Sequence, residues 1–186
     1  EEGDMHFQFG YEESFGYLAG TSVRDKDAVV ASMLLAELAA VSAEEGITLY
    51  DRMQKIYKEF GYASEKTYSI MAEGATGQEK IRQAMVSLRE NKGQDLAGVK
   101  VQTISDFKTS EVLDTETGQV GPLDYPESNV LLYEIDDMDW MCVRPSGTEP
   151  KIKIYFGAYA DTAEEADKKR EDMEGKVLNY VKSLLA

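Results

Sequence analysis

The sequence predicts an α+β fold over residues 63–186, a mainly antiparallel sheet with its helices segregated from it, and a shorter α/β-type block before it over residues 1–62. Two observations lead there. β-prone runs succeed one another between Val99 and Tyr159, while helical periodicity is confined to stretches on either side of them. The first block offers only a strand, a loop and two helices, too little for a complete doubly wound sheet.

Met5 to Phe9 reads as a short strand. Asp27 to Glu45 then places Val30, Met33, Leu34, Leu38 and Val41 at three- and four-residue spacing, an apolar helical face, with Gly46 as its stop. A second helix opens at Thr48, where Thr48 and Asp51 form a capping box with Asp in the Glu position. It is expected to bury Leu49, Met53, Ile56 and Phe60 and to end at Gly61. In the second block Lys66 to Glu73 is β-prone, and Thr76-Gly77-Gln78-Glu79 reads as a capping box opening a helix to about Glu90. Val99 to Phe107 reads as a strand and Lys108 to Asn129 as a long polar connection. Strands over Leu131–Ile135 and Trp140–Val143 flank an Asp136-Asp137 turn, and a further strand runs from Ile152 to Tyr159. Thr162 to Glu165 caps a last helix with Ala166, Met173, Val177, Tyr180, Val181 and Leu184 along one face.

A net charge of −15 excludes nucleic acid as a partner, because its phosphates demand a basic footprint. Hydrophobic residues make up 42%, enough for a core, and no apolar run reaches membrane-spanning length, so no membrane partner is expected. A single cysteine, Cys142, can form no internal disulfide, which suits a cytoplasmic protein. It falls in a β-prone run and reads as a buried, inert thiol.

Between the last two β-prone runs stands Arg144-Pro145-Ser146-Gly147-Thr148-Glu149-Pro150-Lys151. Arg offers a planar fork that fits phosphate oxygens bidentately. The two hydroxyls add neutral donors, and Gly147 is expected to let backbone N–H groups turn toward an anion. With Lys153, Arg144 and Lys151 form a local cationic patch in an otherwise acidic chain. Near the start, Phe9-Gly10-Tyr11-Glu12-Glu13-Ser14-Phe15-Gly16 offers a carboxylate and a hydroxyl suited to vicinal sugar hydroxyls, with Tyr11, Phe15 and Tyr17 as apolar walls. His6, the only histidine, reads as structural, Asp137-Met138-Asp139 as hairpin-turn chemistry rather than metal ligation, and Gly74 to Lys80 as a helix cap lacking the ending of a nucleotide-phosphate loop.

Two of these segments resemble loops of one family, in that family's order. Arg144 to Lys151 is similar to the phosphate-binding loop in the last domain of the α-D-phosphohexomutases, the phosphoglucomutase/phosphomannomutase superfamily. Phe9 to Gly16 resembles its sugar-binding loop, and Arg24-Asp25-Lys26-Asp27 follows at the expected place. The resemblance implies that residues 1–62 end the third, sugar-binding domain and that residues 63–186 form the fourth, with a topology related to the TATA-binding protein. It implies sugar contacts from Glu12, Ser14 and Lys26, and phosphate contacts from Arg144, Ser146, Gly147, Thr148 and Lys151. The implied reaction interconverts hexose 1- and 6-phosphates, of glucose or mannose, through a phosphoserine and a glucose 1,6-bisphosphate intermediate with Mg2+ bound. No phosphoserine loop and no Asp-Gly-Asp-type metal loop occurs here, so catalytic residues and metal ligands are expected in upstream domains of the same enzyme. The alternative is a non-catalytic sugar-phosphate-binding or regulatory module.

Overall fold

A computed structural model describes residues 6–12, 15–136 and 138–186. The chain divides into two compact units, Glu1–Glu59 and Phe60–Ala186.

In the first unit, β1 (Phe9–Tyr11) and β2 (Tyr17–Ala19) form an antiparallel hairpin with Tyr11 opposite Tyr17. The strand expected over Met5–Phe9 therefore starts at Phe9, with Met5 outside the described residues and His6 to Gln8 not in a strand. The cause is the pairing partner: the loop closes on itself through Glu12 N–H to Gly16 O at 2.8 Å, which draws the strand forward into the motif. Two helices follow, α1 (Ala28–Glu44) and α2 (Leu49–Phe60). Asp27 caps α1, its carboxylate accepting the N–H groups of Val29 at 2.9 Å and Val30 at 3.2 Å. The Thr48–Asp51 box forms reciprocally, Thr48 N–H donating to the carboxylate at 2.8 Å and Asp51 N–H to the Thr48 hydroxyl at 3.1 Å. Gly46 and Gly61 adopt the left-handed conformation that ends each helix.

Burial in this unit departs from the expectation. Among its described residues only Gly16 and Ser42 are buried, and Met33, Leu34, Leu38, Val41, Met53 and Ile56 are exposed, as is Phe60 at the end of α2. α1 is apolar around its whole circumference, as Val29, Leu35 and Ala39 show beside the expected face, and a helix of that kind is suited to burial on all sides. Two three-residue strands and two helices provide no layer that covers it. The helices are instead tied by polar contacts: the Ser42 hydroxyl donates to Leu38 O at 2.7 Å and accepts Arg52 Nε–H at 2.8 Å.

The second unit is built on a seven-stranded antiparallel sheet. Its strands are β3 (Tyr62–Met71), β6 (Thr103–Asp106), β7 (Glu111–Asp114), β8 (Val120–Pro122), β9 (Leu131–Glu134), β10 (Trp140–Pro145) and β11 (Lys151–Ala160). They lie in the order β3-β11-β10-β9-β6-β7-β8, while β4 (Asp95–Leu96) and β5 (Val99–Lys100) make a separate hairpin. Helices α3 (Gly77–Glu90) and α4 (Ala163–Leu184) pack against β3, β10 and β11. Along β10 and β11 burial alternates with the pleat: Met141, Val143, Ile152, Ile154 and Phe156 are fully buried in the core. Each contributes about 1.5–3 kcal/mol by leaving water. Arg144, Lys151, Lys153 and Tyr155 fall on the opposite face.

Three readings of this unit need correction. Thr76 makes no side-chain cap bond, and Glu79 is drawn instead to Arg82 and Gln83, so the expected capping box does not form at α3. The run Val99 to Phe107 is broken at Val101-Gln102, because Val99–Lys100 pairs back on Asp95–Leu96 while Thr103–Asp106 joins the large sheet. The polar connection Lys108–Asn129 contains β7 and β8, short strands toward one edge that lack the clean alternation of a half-buried strand. The last helix follows its expected face and also buries Arg170 and Glu174, each 6% exposed. Arg170 pairs with Glu174 and donates to the Ser64 hydroxyl at 2.8 Å, and Tyr68 donates its hydroxyl hydrogen to Glu174 at 2.9 Å, so the pair is satisfied from β3. No described helix is long and apolar enough to cross a membrane.

Candidate functional site

The segment 146–150 joins β10 to β11 and is held at both ends by backbone bonds. Ser146 N–H donates to Lys151 O at 2.8 Å, and Ala72 N–H donates to Pro150 O at 2.8 Å, which fastens the loop to the end of β3. Arg144 stands on the last turn of β10, exposed, directly opposite Lys153. Its Nε–H donates to the Tyr155 hydroxyl at 3.1 Å. Ser146, Gly147 and Thr148 lie in the loop itself, and the Ser146 hydroxyl stands 3.5 Å from the Thr148 N–H it faces. An arginine fork, two hydroxyls and backbone N–H groups at the end of one β-hairpin can hold a phosphate without any acid–base step.

Two of the expected contributions differ in kind. Gly147 is not in the left-handed region, and a Cβ built on it would meet nothing within 4 Å. The glycine therefore does not supply a special backbone conformation here; it leaves the approach to the loop open. Lys151 is mostly buried and ion-paired with Glu149 within the loop, so its charge is partly neutralised rather than bare. Cys142, on the same sheet face as Arg144, is half-buried, and burial pushes its thiol up to about 11, which leaves it protonated and unreactive at neutral pH.

In the first unit a polar cleft of about 260 Å³ is lined by Gly10, Tyr11, Glu12, Gly16, Leu18 and the segment Arg24–Lys26. Glu12 and Lys26 come together there at 3.5 Å, and Lys26 also meets Asp25 at 3.2 Å. Asp25 above all, and Glu12 after it, hold the Lys26 ammonium above its ordinary value. Gly16 makes the meeting possible: a Cβ there would lie 2.2 Å from Lys26 Cδ and 3.2 Å from the Glu12 carboxylate. Phe15 holds a positive φ of 65° with its ring 86% exposed, a strained conformation of the sort concentrated in binding loops. Ser14 lies outside the described residues.

The aromatic walls divide. Tyr11 lines the Glu12 cleft, whereas Phe15 and Tyr17 line an apolar groove of about 540 Å³ against α1 and so are not walls of that cleft. Arg24 is a further cleft residue, and its place in the bend two residues before Lys26 is the signal that could have found it. Tyr155 was missed as well, and its signal was strand parity with Lys153. In the acidic turn Asp136 accepts the N–H groups of Met138 and Asp139, and buried Asp139 accepts Tyr159 N–H at 2.7 Å and pairs with Lys169 at 2.6 Å. Asp137 lies outside the described residues.

Comparison with known proteins adds independent findings. Residues 1–60 match the phosphoglucomutase/phosphomannomutase α/β/α domain III, and residues 90–174 match the C-terminal domain of the same enzymes. A phosphoglucomutase of Staphylococcus epidermidis is 37% identical over 158 residues, 85% of this chain and 29% of its own length. One from Staphylococcus aureus is 40% identical over 147 residues, 79% of this chain and 26% of its own length. The chain thus spans under a third of the curated relatives it matches. The crystal structure of parafusin, a phosphoglucomutase from Paramecium in an open form, superposes with a TM-score of 0.61 over 92% of this chain and 29% of its own, at 17% identity, a likeness of fold.

Proposed function

From the premise that the chain belongs to the phosphoglucomutase/phosphomannomutase family, we propose that it is the sugar-gripping and phosphate-holding part of an enzyme that interconverts hexose 1-phosphate and hexose 6-phosphate, with glucose or mannose as the sugar. Residues 1–62 act as the end of the sugar-binding domain and residues 63–186 as the phosphate-binding domain. The observation that carries this reading is the loop after β10, where Arg144 stands exposed beside Ser146 and Thr148 on a backbone anchored at Lys151 and Pro150.

Phosphoryl transfer depends mainly on positioning and on neutralising charge. A substrate with two ends must present a phosphate to the same distal loop in both half-reactions while the sugar turns over. Arg144, Ser146, Gly147 and Thr148, with Lys151, hold the phosphate that is not being transferred. Glu12, Ser14 and Lys26 orient the sugar hydroxyls. The nucleophilic serine, the Mg2+ site and the exchange through glucose 1,6-bisphosphate belong, in this reading, to the upstream domains of the enzyme, which are also its partners along with hexose phosphates. Among the described residues no group of three or more His, Cys, Asp or Glu could hold a metal ion, so these residues do not fit one. A cytoplasmic setting is part of the same proposal.

The test is an NMR titration of this chain with inorganic phosphate, wild type against Arg144→Ala. Shifts at residues 144–151 that vanish in the variant are expected. Shifts mapping to Gly74–Lys80 instead would overturn the assignment.

A further inference from the structure

Arg144 has a cation directly across the sheet from it. In the β10–β11 register Arg144 is opposite Lys153, and Tyr155 is opposite Cys142, so all four side chains share the face turned away from the core. Like charges directly opposite one another on paired strands repel. Tyr155 stands diagonal to Arg144 and two residues on from Lys153. Its hydroxyl accepts Arg144 Nε–H at 3.1 Å, and its ring centroid lies 5.7 Å from the guanidinium carbon and 5.9 Å from Lys153 Nζ. The ring and hydroxyl thus offer both cations an electron-rich neighbour that carries no charge of its own.

The hydrogen bond also decides which edge of the guanidinium is presented. Arg can engage a phosphate through Nε and one Nη, or through its two Nη groups. With Nε–H given to Tyr155, the first fork is occupied and the second is left for the ligand. We propose that Tyr155 is a positioning residue for phosphate recognition: it locks Arg144 with its terminal Nη–Nη fork outward, and it holds Lys153 on the same face. This rests on the reading of the loop as a phosphate holder, and it adds a residue from β11, outside the loop motif.

The test uses this chain and inorganic phosphate, with affinity from NMR shifts and the Arg144 Nε–H resonance as a direct report on the bond. In wild type that resonance is expected to be protected from exchange. Tyr155→Phe keeps the ring, loses the acceptor, and should both abolish the protection and weaken phosphate binding roughly three- to tenfold, as for one net hydrogen bond. In an Arg144→Lys background, where there is no Nε–H, Tyr155→Phe should change affinity by less than about twofold. An equal loss in both backgrounds would show that Tyr155 does not act through Arg144, and unchanged affinity with Arg144→Ala impaired would overturn the positioning role alone. If Arg144→Ala itself bound phosphate like wild type, the phosphate-holding reading would fall and this inference with it.

Discussion

Truncating Glu174 to Ala is expected to be among the most damaging single changes to the second unit. Arg170 and Glu174 are each 6% exposed, and the carboxylate accepts from both Arg170 and the Tyr68 hydroxyl. Removing it leaves a desolvated guanidinium whose remaining carboxylate partners, Asp167 and Glu171, are themselves largely exposed. Breaking a buried pair from one side costs about 3–5 kcal/mol. With a urea m-value of about 2 kcal/mol/M, within the range for small domains, that lowers the midpoint by roughly 1.5–2.5 M. Trp140 is the chain's only tryptophan and sits in β10, so its fluorescence reports this unit specifically. The double variant Arg170→Met/Glu174→Leu removes both charges and should recover most of the loss, since a buried ion pair offers little over well-packed apolar side chains. A Glu174→Ala cost below about 1 kcal/mol would show that the pair is effectively solvated. A double variant as damaged as the single would refute the argument from an orphaned charge.

Tyr133 is fully buried and its hydroxyl has no hydrogen-bond partner among the described residues, so Tyr133→Phe should be neutral or stabilising by up to about 1–2 kcal/mol in the same urea experiment. Gly147→Val should leave the melting temperature within about 2 °C of wild type, because a Cβ there meets open space, yet abolish phosphate-induced shifts at the loop if the backbone must approach the anion. Glu149→Gln removes the carboxylate that pairs with Lys151 and should tighten phosphate binding about two- to fivefold at low salt, an effect that fades as ionic strength rises. Gly16→Ala should displace Lys26 from Glu12, visible as changed Lys26 side-chain resonances, with the caps of α1 and α2 undisturbed.

What the sequence determined by itself was what depends on neighbours along the chain. The Thr48–Asp51 box and Thr162 before α4 each place a side-chain acceptor within three residues of the N–H it caps, so spacing sufficed. The alternation in Ile152 to Phe156 announced a half-buried strand, and the residue types between Arg144 and Lys151 are what the proposed phosphate-holding role rests on. Tertiary structure decided whatever depends on a partner distant in sequence. Thr76 carries the letters of a cap but its backbone, at φ −95° and ψ 2°, is not extended as a capping residue's usually is, and no bond forms. Glu111–Asp114 became a strand because β6 offered an unpaired edge, and Val120–Pro122 because β7 then offered the next one, not because their composition favours a strand. Arg170 and Glu174 lie on a face that periodicity marks as apolar, and only the hydroxyls of Ser64 and Tyr68, more than a hundred residues earlier, make their burial tolerable. The same holds at the site: Tyr155 meets Arg144 only across two paired strands, and Lys26 meets Glu12 only because Gly16 leaves the space. Chemistry can be read from residue types, but which groups face each other is set by register and close approach, and those exist only once the chain has folded.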